Sequence, residues 1–233
     1  MKKLFAFAGA MALATASHAA IYTFQYTARI DSITEGDGFP WGEPDIEVSS
    51  AQMPAGLIVR GDTVTGTFSY DGATISDNTS TDEYGTESGY SQQLANAVLT
   101  ARFTGTGAAL YSTPSMYTWV KNANAGSQFG DRFGMYSYEY GPAPLFWREA
   151  LSVQFTGATD VLDSAALPGA EISGFTNNTF SLAYTRPVNG EFAMTHASGI
   201  ITSVTLVSAV PEPSTYAMFA AGLALLAWRR KRT

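Results

Sequence analysis

The chain has 233 residues, no cysteine, two histidines, and twenty Asp and Glu against thirteen Lys and Arg. Lack of cysteine excludes disulfides, thiol catalysis and thiolate metal ligands, and His196 is the only histidine beyond residue 18, which excludes a multi-histidine metal centre within one chain. A formal charge of −7 repels nucleic acid and argues against it as a partner.

Residues 1–19 read as a secretory signal peptide. Lys2 and Lys3 form a positive start, Leu4 to Ala16 a short apolar stretch, and Ser17-His18-Ala19 places small residues at −3 and −1 of a cut after Ala19. Signal peptidase is then a processing partner. The body that follows, residues 20–208, is long enough for one domain with a substantial core. From Ala20 to Val210 the chain carries seven basic and nineteen acidic residues, a formal charge of −12.

The body reads as β throughout. Tyr22, Phe24, Tyr26, Ala28 and Ile30 alternate with Thr23, Gln25, Thr27 and Arg29, the period of a half-buried strand. Thr63–Tyr70 repeats the pattern and ends on the turn pair Asp71-Gly72. Further strands are expected at Leu94–Phe103, Met116–Lys121, Phe133–Tyr140, Leu151–Thr156, Thr179–Thr185 and Ile200–Val207. Leu94–Phe103 also has the composition of a helix start. Glu35–Met53 and Asp71–Gly89, rich in acid and small polar residues, read as exposed loops. About eight strands with one wet face predict an all-β fold, an antiparallel β-sandwich of which a jelly roll is one form. The first strand (Tyr22–Ile30) and the last (Ile200–Val207) are expected in one sheet, because chain ends often lie near each other.

The C-terminal segment, residues 209–233, differs from everything before it. Pro211 and Pro213 remove two backbone donors and bias Val210 and Glu212 toward extended conformations, so this stretch is not expected to pair fully into a sheet. Residues 215–228 are uncharged and apolar all round, a transmembrane helix of about 21 Å, short against a bilayer core of about 30 Å. Arg229, Arg230, Lys231 and Arg232 follow as a basic stop of the kind left in the cytoplasm. With a signal peptide at the other end, the body lies outside the cytoplasm. The precursor is tethered to the inner membrane by its C-terminal helix until that helix is cut.

Together, Val210-Pro211-Glu212-Pro213-Ser214-Thr215, the short apolar run and the Arg-rich end resemble the PEP-CTERM sorting signal of Gram-negative bacteria. The resemblance covers about a tenth of the chain. It implies processing by an exosortase, a membrane transpeptidase that recognises the motif and removes the helix. It also implies a cell that makes exopolysaccharide or biofilm matrix, and a mature protein at the cell surface or beyond it. The segment from Gly61 to Asp71 is similar to a strand-turn pattern of PEP-CTERM ectodomains and adds no chemistry.

No cofactor motif is present, and no metal site is assigned. Asp71, Asp77, Asp82, Glu83 and Glu87 could offer oxygens to calcium, but their spacing is not that of an EF-hand, and a solvated acidic loop is the ordinary reading. The cluster Glu35, Asp37, Glu43, Asp45 and Glu47 reads likewise. Tyr136, Tyr138 and Tyr140 share one face of a strand and could stack on sugar rings, with Trp41, Trp119 and Trp147 as candidate additions. Tyrosine is also an ordinary strand and core residue. No Gly-x-Ser-x-Gly elbow accompanies His196, and no carboxylate pair stands out for glycoside hydrolysis. The expected role is non-enzymatic, a structural or interaction role associated with exopolysaccharide or biofilm. A lectin-like module and a secreted carbohydrate-active enzyme are the alternatives.

Overall fold

The computed structural model describes residues 20–36, 45–54, 56–90, 97–105, 109–110, 115–139, 149–188 and 191–211. The predicted signal peptide, the apolar run at 215–228 and the basic stop lie outside them. Period-two alternation governs what is described. In chain order the strands are β1 (Ala20–Gly36), β2 (Ile46–Glu47), β3 (Ser50–Met53), β4 (Gly56–Val59), β5 (Thr63–Asp71), β6 (Asn78–Asp82), β7 (Gly85–Tyr90) and β8 (Val98–Leu99). They continue with β9 (Ala101–Phe103), β10 (Ala109–Leu110), β11 (Ser115–Ala123), β12 (Arg132–Glu139), β13 (Glu149–Gly157), β14 (Phe175–Val188) and β15 (Glu191–Pro211).

Thirteen of these strands join in one antiparallel sheet, ordered β10-β9-β5-β1-β15-β14-β13-β12-β11-β7-β6, with β2 on β1 and β8 on β5. The hairpin β3–β4 stands apart as a second, two-stranded sheet and sends Ala51, Met53 and Ile58 into the core. From β11 to β15 the main sheet is an up-and-down meander, the order that tight antiparallel connections favour.

Aromatic packing curls this sheet over on itself. Five strand steps separate Phe68 on β5 from Phe133 on β12, about 24 Å across a flat sheet. Their ring centroids are 6.3 Å apart. Phe68 also meets Phe24 at 5.0 Å and Phe155 at 5.5 Å, and Tyr70 meets the edge of Phe133 at 5.4 Å. Phe24, Phe68, Phe133, Phe155 and Phe180 are fully buried or nearly so. Gly66 makes room for one of these rings: a Cβ there would lie 2.6 Å from the Tyr26 ring and closer still to the Thr100 carbonyl. Across that gap the Tyr26 hydroxyl donates to the Thr100 carbonyl at 2.8 Å. Burial pushes the Tyr26 phenol far above its ordinary value, so it remains a donor.

The first and last strands are direct neighbours, as the sequence predicts for their sheet. They pair from Ala20↔Pro211 to Gly36↔Met194, interrupted where Thr202 and Val207 on β15 and Asp31 on β1 have no partner across the ladder. Each is a bulge that adds local twist. The Thr202 hydroxyl donates to the Thr27 carbonyl at 3.2 Å.

Several sequence expectations require correction. Asp71–Gly89 is not a loop: it contains the β6–β7 hairpin, stabilised by cross-strand hydroxyl pairs Thr79–Ser88 and Thr81–Thr86. Exposure of both faces of β6 removes the apolar alternation that would have marked it. Glu35–Met53 likewise contains the end of β1 together with β2 and β3. β15 begins at Glu191 rather than Ile200 and runs past residue 208, so Ala209, Val210 and Pro211 are paired. Proline is tolerated there as the terminal residue of the strand.

Asp131 fixes the end of the meander. Its buried carboxylate accepts backbone N–H bonds from Ala123 at 2.7 Å, Val161 at 2.9 Å and Leu162 at 2.8 Å. Asp131→Ala leaves three donors without their acceptor and should destabilise the protein by about 3 kcal/mol or more. Chemical denaturation of the variant against the parent measures this.

Candidate functional site

The core takes one face of the meander: Met116, Thr118 and Val120 of β11, Phe133, Met135 and Ser137 of β12, Leu151 and Val153 of β13, and Phe180 and Leu182 of β14. Alternation sends the intervening residues to the other face. Their sizes are unequal, and that inequality makes a groove. On β11 and β12 the residues are large: Tyr117, Trp119, Tyr136 and Tyr138. On β13 and β14 they are small: Ala150, Ser152, Ser181 and Ala183. Met194 and His196 of β15 raise the far wall. The groove encloses about 950 Å3.

Ladder registry sets the rows. Tyr117, Tyr136, Ser152, Ser181 and Ser198 lie successively opposite one another, as do Tyr138, Ala150, Ala183 and His196. Trp119 faces Gly134, and a Cβ at Gly134 would lie 2.7 Å from the indole Nε1. Only a glycine leaves space for the indole to lie across β12. The aromatic wall is half-buried, which keeps part of each ring available. Burial, reinforced by Glu87, Tyr136 and Asp77, raises the Tyr117 phenol above its ordinary value, so it is a neutral hydroxyl.

Charged groups gather at one end. Lys121 and Arg132 are cross-strand partners on this face, a like-charge pair that is unfavourable alone. Glu87 faces Lys121 from β7, and Asp82 lies 3.7 Å from its ammonium. The Arg132 guanidinium sits over the Phe129 ring at 5.3 Å, and its Nε is buried without a hydrogen-bond partner.

At the other end His196 Nε2 and Ser181 Oγ are 2.7 Å apart. Burial lowers the imidazole pKa below its ordinary value against a smaller opposing effect of Asp45, so the ring is neutral at pH 7.

Of the residues expected to form a sugar platform, the structure brings together Tyr136, Tyr138 and Trp119. Tyr140, Trp41 and Trp147 lie outside the described residues. Tyr117, Lys121, Arg132, Ser181 and Met194 line the same groove although no local pattern marks them, because the strands that carry them meet only through the ladder. Among the described residues no cluster of three or more Asp, Glu or His is placed to hold a metal. Asp71 and Asp82 instead accept N–H bonds within their own turns, from Ala73 at 2.8 Å and from Tyr84 and Gly85 at 2.8 and 3.0 Å.

Past the groove, β15 continues into the C-terminal motif. Residues 209–232 match the family model of the PEP-CTERM protein-sorting motif. The chain carries a PEP-CTERM sorting signal. Comparison with curated proteins and with solved structures yields no match. The PEP-CTERM signal marks the protein for export and for processing by an exosortase, with the cell surface or extracellular space as its destination. Its first residues, Ala209 to Pro211, belong to the folded domain; Glu212 to Arg232 lie outside the described residues.

Loss of residues 1–19 would leave His196 as the one histidine, so its NMR titration is unambiguous. Its midpoint should fall below 6.5. The unfolded chain then takes up the proton first, and stability is lost as pH falls through 6.5 toward the folded midpoint. Stability measured from pH 7.5 to 5 should show that slope, and His196→Gln should remove its contribution. An unshifted midpoint would contradict the burial assigned to the ring.

Proposed function

We propose that this PEP-CTERM protein is a non-enzymatic component of the cell surface or extracellular matrix, and that its groove binds exopolysaccharide. The observation that carries the proposal is the wall of Tyr117, Trp119, Tyr136 and Tyr138 over a floor of Ala150, Ser152, Ser181 and Ala183. Flat aromatic faces give apolar contact to the C–H faces of sugar rings. The phenols supply hydroxyl partners, and Ser152 and Ser181 add theirs in the row of Tyr117 and Tyr136. A groove crossing several strands suits a polymer better than a small solute.

Glu87 is the sole carboxylate among the described groove-lining residues, whereas hydrolysis of a glycosidic bond ordinarily uses two. The Ser181–His196 hydrogen bond is the one observation that favours an enzymatic alternative, because a neutral histidine beside a serine hydroxyl can act as a base. Turnover of a polysaccharide or its esters that disappears in Ser181→Ala would establish that reading.

Binding is tested on a glycan array and by affinity electrophoresis in the exopolysaccharide of the native cell. Tyr138→Ala and Trp119→Ala should each weaken retardation by about two- to tenfold, from about 0.5–1.5 kcal/mol of lost ring contact. Equal retardation of parent and variants would refute the groove assignment.

The tethered precursor is the second element of the proposal: a signal peptide cut after Ala19, a transmembrane helix at 215–228, and basic residues on the cytoplasmic side. Intact-mass analysis of protein from the native envelope should show loss of residues 1–19 and of the chain beyond the Pro211–Pro213 region. Recovery of the Arg-rich tail in cells with active exosortase would leave a permanent membrane anchor instead.

A further inference from the structure

The two halves of β15 have different surroundings. From Glu191 to Ile200 it lies between β14 and β1. From Ile201 to Pro211 it keeps β1 on one side, and among the described residues no strand pairs with its other edge. Such an edge presents unpaired N–H and C=O groups and is a template for an added strand. Protein edges are commonly protected by lysine or other charge, or by proline. Here Ile201 to Val210 contains no charged residue, and the first proline is Pro211. Leu206 and Val207 are 42% and 60% exposed. The unpartnered Thr202 and Val207 divide the edge into two runs, Ser203–Leu206 and Ser208–Pro211, and the second leads into the sorting motif without a break.

We propose that the open edge of β15, from Ser203 to Pro211, is a docking strand for the exosortase. An extended segment of the enzyme adds to this edge by main-chain hydrogen bonds. Continuity selects this occupant: an enzyme that recognises the motif meets the edge on the same stretch of chain, since Val210 and Pro211 belong to both. Reach agrees. At most about 14 Å of extended chain separates Pro211 from Thr215, where the apolar run begins. A tripeptide such as Pro-Glu-Pro carries little information. A paired run before it supplies affinity from the backbone, with alternate side chains available for selectivity.

The inference rests on exosortase processing of the motif and not on the groove. The test follows removal of the C-terminal tail from the full-length precursor by pulse-chase in exosortase-positive cells. Leu206→Lys with Val207→Lys places charge on the edge and should slow removal at least tenfold. Leu206→Thr with Val207→Thr keeps an uncharged edge and should be processed at the parental rate. Ile75→Lys, at a side chain 78% exposed elsewhere, should also match the parent. Limited proteolysis of each precursor checks that the β-domain is intact. A photo-cross-linker at position 207 should capture the exosortase. Parental processing of the double-lysine variant, or cross-links only to a second copy of the chain, would overturn the docking role. Pro211→Ala with Pro213→Ala separates the two claims. If that variant is also processed normally, the sorting role of the motif fails; if it alone is blocked, only the docking strand fails.

Discussion

Packing of Phe68, stacked on Phe24, against Phe133 and Phe155 is the contact on which the rest of the structure depends. It joins strands that lie far apart along one continuous sheet and closes that sheet around a single core. No disulfide can do this in a cysteine-free chain. The four rings bury large apolar areas, and Tyr26, Tyr70 and Phe180 extend the cluster. Once the aromatic face of the meander has turned inward, its other face is committed to solvent. The groove is a consequence of that commitment.

Strands with one apolar face were legible in the sequence; β6, wet on both faces, and the full extent of β15 were not. β1 and β5 announce themselves because one face is apolar and the other wet. β6 does not, because both its faces are wet and its threonines pair only with a neighbour. β15 lost its signal between Glu191 and Gly199, where small and polar residues such as Thr195, Ala197 and Gly199 occupy the buried side. Hydrogen bonding links thirteen of the described strands into one antiparallel sheet, and ring contacts between β5 and β12 bring distant parts of it together.

The groove was legible only in part. Tyr136 and Tyr138 share a strand, so local alternation places them on one face. Tyr117 joins them only because register sets it opposite Tyr136, and His196 reaches Ser181 only because β14 and β15 are neighbours. Asp131 was hidden for a related reason. An acidic residue between Gly130 and Arg132 looks like a turn residue, yet it is fully buried and tied to two distant segments. Residues whose role depends on tertiary neighbours give no periodic trace. The sorting motif is the opposite case, since its order of proline, apolar run and basic stop is entirely local.

The pairing of Ala20 with Pro211 has a mechanical consequence. Any tension on the C-terminus enters the domain at Pro211 and acts along the axis of β15. Its antiparallel neighbour β1 begins its ladder at the same point and enters the rest of the domain from the opposite end, so a pull along β15 against the body of the domain loads many rungs in shear at once, not one rung at a time. Resistance to such a pull is set by the barrier to unfolding and not by equilibrium stability. A surface protein held by its C-terminal end against flow would be loaded along its longest ladder.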